Sequence, residues 1–169
     1  LVIAPPPIIP NWEGSFKDFG LKSKDYEIHS IGMLDKIADK IERAEKFGEK
    51  TFDYVFVDEA HRFRNGTNQQ YEKLKIICLN KKVVLISATP LNNTFFDFYY
   101  LISLFQNPIH SDIPGMENFD AFFRSRRQQI KEVEKQSGGK DTPEYLNTVK
   151  RVSQEVRDKI LQYLMIRRT

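Results

Sequence analysis

The sequence predicts an α/β domain, a parallel sheet with helices on both faces, followed by an all-helical extension. Three observations carry this. Four short runs rich in β-branched and aromatic residues, 1–4, 26–29, 54–57 and 83–86, are too short for helices and read as strands. Between them lie segments with apolar residues at helical spacing, and alternation of strand and helix requires crossover connections and parallel pairing. Beyond residue 94 only helical patterns remain. The expected division is therefore 1–93 for the sheet and 94–169 for the helical extension.

Each element has its own local reason. Residues 1–4 form a buried strand that stops at Pro5-Pro6-Pro7, because proline cannot donate to a ladder. A helix over 11–19 places Trp12, Phe16 and Phe19 on one face, with Asn11 as its cap and Gly20 as its stop, and Trp12 reads as core. Residues 26–29 alternate and form a second strand. From Ile31 onward, Leu34, Ile37, Ile41, Ala44 and Phe47 recur at helical spacing among charged residues, an amphipathic helix that ends at Gly48. Residues 62–68 are a polar loop, and 69–79 a helix with Tyr71, Leu74 and Cys78 inward. The buried strand 83–86 is closed by Ser87-Ala88-Thr89-Pro90. Residues 94–105 are helical, with an aromatic stripe that reads as core rather than as a stacking platform. A loop with two prolines spans 107–115, a helix 117–136 and a flexible turn 137–140. From Pro143, Val149, Val152, Val156 and Ile160 carry a last helix towards Leu164.

Composition narrows the function classes. The chain has 169 residues, 40% hydrophobic and 29% charged, the range of a globular domain with a real core. A net charge of +3 permits a nucleic-acid partner without requiring one. The single cysteine, Cys78, excludes an internal disulfide and a cysteine zinc site, and suits a reducing intracellular compartment, cytoplasmic, nucleoid or nuclear. It lies in an apolar helical stretch and reads as core rather than nucleophile. No apolar run approaches a membrane span, so no membrane partner is expected. The first residues carry neither an initiator Met nor a basic leader, and the chain reads as cut from something longer.

The chemistry is concentrated in FDYVFVDEAHRFRN, residues 52–65. The apolar strand 54–57 runs straight into Asp58 and Glu59, which places two carboxylates at the carboxyl edge of a sheet, where open α/β folds bind ligands. Adjacent acids there suit a division of labour: one holds Mg²⁺ through waters, and the other orients or deprotonates an attacking water. For a bare acid pair, a solvated turn is the plain alternative.

The longer string is more specific. Apolar-apolar-Asp-Glu-Ala-His resembles the Walker B element, motif II, of superfamily two helicases and translocases. Three further stretches resemble the Swi/Snf-type DNA-dependent ATPases in the same order. LVIAPPPIIPNWEGSFKDF, residues 1–19, is similar to motif Ia, IHSIGML, 28–34, to motif Ib, and LISATPLNN, 85–93, to motif III. The aromatics downstream and the closing MIRRT, 165–169, resemble the end of that family's first motor lobe. The resemblance covers nearly the whole chain and implies a RecA-like fold of the P-loop NTPase class. It also implies ATP and Mg²⁺ as cofactors of the parent protein and double-stranded DNA as its partner.

One departure bears on activity. ATP binding in that family needs a phosphate loop, G-x-x-x-x-G-K-[ST], whose backbone N–H groups cradle phosphates, and this sequence has none. Gly48-Glu49-Lys50-Thr51 leads into a strand rather than out of one, and Gly138-Gly139-Lys140 lies between helices, so neither is a phosphate loop. The expectation is a truncated lobe one whose phosphate-loop segment and second lobe lie elsewhere in the same parent protein. Alone, it should be inactive and bind ATP hardly at all. It should also expose strand 83–86 as a sheet edge open to self-association.

The resemblance implies roles residue by residue. Asp58 would position Mg²⁺ through water, Glu59 would act on the hydrolytic water, and His61 would couple the nucleotide site to Ser87, Ala88 and Thr89 of motif III. For DNA contact it implicates Pro6 and Asn11 around motif Ia. Arg62 and Arg64, and the basic run Arg124, Arg126 and Arg127, are further phosphate-contact candidates, with a solvated surface as the alternative for each. The function implied is that of an ATP-driven duplex-DNA translocase or helicase-like motor that moves along DNA without reading sequence. The alternatives are the motor lobe of a restriction or phage-defence enzyme, and a non-catalytic scaffold derived from such a motor.

Overall fold

The computed structural model describes residues 1–88 and 95–166. The chain divides into two compact units, Leu1–Phe105 and Gln106–Thr169.

The first unit is built on four strands, β1 Val2–Ala4, β2 Ile28–Ser30, β3 Tyr54–Val57 and β4 Lys82–Leu85. They pair in the order β2-β1-β3-β4, all parallel. The register places Val2 between Ile28 and Phe56, and aligns β3 with β4 from Tyr54↔Lys82 to Val57↔Leu85. The helices of this unit are α1 Ile9–Asp18, α2 Leu34–Lys46, α3 Gln69–Cys78 and α4 Asp97–Ile102. This is the expected RecA-like parallel sheet.

Alternation along the strands sorts residues between two faces. Ile3, Val55 and Val57 join Leu34, Ile37, Ile41, Leu74, Ile77, Leu101 and Leu104 in one buried cluster, so α2, α3 and α4 cover that face. Burying each such aliphatic side chain contributes about 1.5–3 kcal/mol. On the other face the Trp12 ring of α1 lies 6.1 Å from the Phe56 ring and 5.5 Å from Phe16. That cover stops short of β4: Tyr54, Val84 and Ile86 are exposed. The fourth strand is therefore not buried as the apolar run suggested. It is an edge strand among the described residues, and only Val83 and Leu85 turn towards the core.

Several local expectations need correction. Asn11 is not a cap: α1 starts earlier, on a tight turn Pro6–Ile8, because Pro10 presets a helical φ within its first two positions. Phe19 and Phe47 are 85% and 75% exposed rather than inward. Both sit at helix C-caps, followed by Gly20 and Gly48 at φ 74° and 68°, where the chain leaves the surface the helix packs on. The polar loop begins with a 3₁₀ turn, Ala60–Phe63, whose Phe63 is wholly buried. Asn68 caps α3, its Oδ1 accepting from the Tyr71 N–H at 2.7 Å. Cys78 is buried, and burial pushes its thiol up to about 12, so it is core and unreactive.

The second unit is helical, with α5 Phe119–Ser137 and α6 Pro143–Val156. Asn118 and Thr142 cap them, and Gly138 at φ 84° ends α5 in the left-handed conformation that favours glycine. Phe119, Phe123 and Ile130 of α5 and Val152 and Val156 of α6 are buried. The last helix does not run unbroken to Leu164: it widens into a π turn at Arg157–Leu161 and then resumes. Among the described residues, no helix is long and apolar enough to cross a membrane.

Candidate functional site

The site forms where β3 ends. The Asp58 N–H donates to the Ile3 carbonyl of β1 at 2.8 Å, and the Ala60 N–H to the Ile86 carbonyl beyond β4 at 2.9 Å. Between these two anchors the chain pivots at Glu59, which adopts φ 52° and ψ 43°. A left-handed non-glycine residue costs about 1–2 kcal/mol, and the neighbouring bonds hold it there. The pivot ends the strand's alternation and leads into the turn Ala60–Phe63.

Asp58 is fixed at both oxygens. Its Oδ1 accepts from the Glu59 N–H at 2.8 Å, and its Oδ2 accepts from the Trp12 indole Nε1–H, also at 2.8 Å. Glu59 Oε2 lies 3.0 Å from His61 Nδ1, and the same nitrogen lies 3.3 Å from the Ser87 hydroxyl. The Nδ1 hydrogen bond runs to Ser87, while Glu59 Oε2 lies at ion-pair distance from the ring. Asp58, Glu59, His61 and Ser87 are all half-buried: open to a ligand, yet partly screened from water. Ala88 is exposed beside them, and Thr89 lies outside the described residues, as do the following Pro-Leu-Asn-Asn and residues 167–169.

The arrangement suits one hard cation held indirectly. Each Asp58 oxygen takes one hydrogen bond and keeps a lone pair free. Among the described residues no cluster of three or more His, Cys, Asp or Glu could cage a metal. Mg²⁺ fits such a place, since it retains waters and uses one or two carboxylates together with substrate phosphates. Glu59, 3.0 Å from His61, is the second carboxylate at this edge and could act on a water.

The remaining candidates are scattered. Pro6 and Asn11 are exposed at the amino end of α1. Arg62 is exposed on the turn after Glu59, and Arg64 is half-buried at its end. In the second unit, Arg124 pairs with Asp120 at 2.8 Å and Arg127 is exposed. Arg126 pairs with Glu155 at 2.7 Å and stacks over the Phe122 ring at 5.0 Å.

Two features escaped sequence reasoning. Trp12 reads as core from its helical spacing, but it is half-buried and bonded to Asp58, 46 positions away. Gly66 faces the Tyr100 ring so closely that a Cβ there would sit 2.0 Å from a ring carbon. No local pattern marks either.

Comparison with known proteins places the chain in a family. The family described as SNF2-related domain matches residues 21–169. The chain is 26% identical over 134 residues to a DNA repair and recombination protein RAD54-like from Gallus gallus, covering 73% of this chain and 17% of that protein. It is 23% identical over 186 residues to Helicase swr1 of Schizosaccharomyces pombe, covering 97% of this chain and 14% of that one. With the ATP-dependent helicase FUN30 of Saccharomyces cerevisiae it shares 27% identity over 149 residues, 75% of this chain and 13% of the relative. The chain thus spans less than a fifth of the length of these relatives. Among solved structures, the Sulfolobus solfataricus SWI2/SNF2 ATPase core in complex with dsDNA superposes with a TM-score of 0.56 at 17% identity, covering 99% of this chain and 33% of that one. That likeness bears on the fold.

Proposed function

The chain belongs to the SNF2-related domain family, and on that basis we propose that it is part of the first lobe of an ATP-driven motor moving along duplex DNA. One observation carries the reading: Asp58, Glu59, His61 and Ser87 converge at the carboxyl edge of a parallel sheet, from the ends of two adjacent strands. That is where open α/β sheets hold a ligand.

The roles follow from what each group can do. Asp58, pinned at both oxygens, is the residue that would hold Mg²⁺. When bound, that ion neutralises charge on the phosphates. Glu59 orients the attacking water and accepts its proton. His61, hydrogen-bonded to Ser87, sets its imidazole 3.0 Å from the Glu59 carboxylate. Ser87 reports the position of β4's end to the same imidazole, a mechanical link between the site and the segment that follows. Phosphate contact with DNA falls to the exposed amino end of α1, Pro6 and Asn11, and to Arg62 and Arg64. Arg124, Arg126 and Arg127 are second-line candidates, because Arg124 and Arg126 already hold acidic partners. Relatives named as helicases and DNA-repair proteins support the reading as a motor acting on DNA.

The test is DNA-stimulated ATP hydrolysis by the intact protein carrying Glu59→Gln. A general base contributes about 10²–10⁴-fold, so hydrolysis should fall by at least about a hundredfold while DNA binding persists. Hydrolysis at the wild-type rate would remove Glu59 from the reaction.

A further inference from the structure

We propose that Trp12 is a positioning residue for the cation site: its indole N–H clamps Asp58 and ties helix α1 to the carboxylate that holds Mg²⁺. The inference rests on the reading of Asp58 given above.

Three observations converge. The Nε1–H donates to Asp58 Oδ2 at 2.8 Å, a charge-assisted bond formed between elements 46 positions apart. The second oxygen of Asp58 is held by the Glu59 N–H at 2.8 Å, so the two donors together leave the carboxylate no free rotation about its χ angles. The indole is itself braced, edge-on to Phe16 at 5.5 Å and tilted on Phe56 at 6.1 Å, and Phe16 in turn stacks edge-on to Tyr26 at 4.6 Å. A packing role needs only some acceptor for the N–H. Here the only polar atom of the ring is spent on an oxygen of the cation-holding side chain.

The consequence is directional. Trp12 is one residue from Asn11 on the exposed amino end of α1. A shift of that helix end must either drag Asp58 Oδ2 or break its bond. Partners that orient metal-holding groups typically cost about tenfold or more in metal affinity when removed.

Trp12 is the only tryptophan in the chain, which makes the test direct. In the 169-residue protein one indole N–H resonance reports the bond; in the intact protein with ATP present, Mn²⁺ followed by water-proton relaxation serves as a paramagnetic probe for the Mg²⁺ position. Wild type, Trp12→Phe and Asp58→Asn are compared, with circular dichroism confirming the fold. The expected result is about tenfold weaker Mn²⁺ binding in Trp12→Phe, weaker binding in Asp58→Asn, and an indole resonance that moves and exchanges faster in Asp58→Asn. If Asp58→Asn weakens Mn²⁺ binding and Trp12→Phe matches wild type, the clamp is wrong and the reading of Asp58 stands. Equal binding by all three proteins, including none in any, overturns both. If Trp12→Phe does not fold, the indole resonance decides: no change in Asp58→Asn overturns the clamp.

Discussion

Replacing Gly66 by alanine pits two effects of opposite sign against each other. Gly66 does not have a positive φ, so alanine is allowed by the backbone. Stiffening the unfolded chain would then stabilise the protein by about 0.4–1 kcal/mol. Against this, the new Cβ would lie 2.0, 2.3 and 3.0 Å from three carbons of the Tyr100 ring, where ordinary contact is nearer 3.4–4 Å. The ring must move by more than an ångström. It is not free to do so: it packs edge-on to Tyr71 at 5.8 Å and Tyr99 at 5.2 Å, and the Tyr71 hydroxyl donates to the Tyr100 carbonyl at 2.9 Å. Overpacking of this kind costs about 1–3 kcal/mol. At mid-range the clash wins, leaving a net loss of about 1 kcal/mol and at most about 2.6 kcal/mol. Urea denaturation of the 169-residue chain measures it as a lower midpoint with an unchanged slope. The same substitution in a Tyr100→Ala background should cost little, because the obstructing ring is gone. A Gly66→Ala protein as stable as wild type, or an equal loss in both backgrounds, would refute the steric account.

Two further predictions concern pH and association. Burial pushes the Glu27 carboxyl up, but hydrogen bonds and charge from His29 at 2.9 Å and Lys40 at 2.5 Å outweigh it and hold the group below its ordinary value of 4.5. A depressed folded value means the pair stabilises the fold above pH 4.5, and the contribution disappears as the pH falls through the folded value. Glu27→Gln should therefore flatten the acid limb of a stability–pH curve by less than about 1 kcal/mol, as for other solvent-screened pairs. An identical acid limb in the variant would count against it. The edge strand β4, with Val84 41% exposed, should drive concentration-dependent self-association visible by light scattering, and Val84→Lys should suppress it. A strict monomer at high concentration would end that expectation.

Much of the sheet unit was legible in the sequence because its determinants are local. The run 54–57 is apolar and β-rich, and the spacing of Leu34, Ile37 and Ile41 follows the helical turn, so periodicity alone assigns them and alternation alone implies parallel pairing. Adjacent acids at the end of a strand are likewise a property of neighbouring positions. Where local pattern stops informing, the errors begin. Phe19 and Phe47 continue their helices' apolar spacing, but the helix ends at each, and a side chain past the last turn has no packed surface beneath it. Phe63 sits in a polar string, and only the turn after Glu59 drives it into the core.

The sequence by itself determined the strands, the acids and their place at a carboxyl edge. Only the tertiary structure decided what those acids are bonded to. Trp12 reaches Asp58 because α1 lies over the Phe56 face, and Ser87 reaches His61 because β3 and β4 pair in register from Tyr54↔Lys82 to Val57↔Leu85. Contacts between positions 46 and 26 apart depend on how elements stack and on strand register. A one-residue slip in that register turns every side chain to the opposite face.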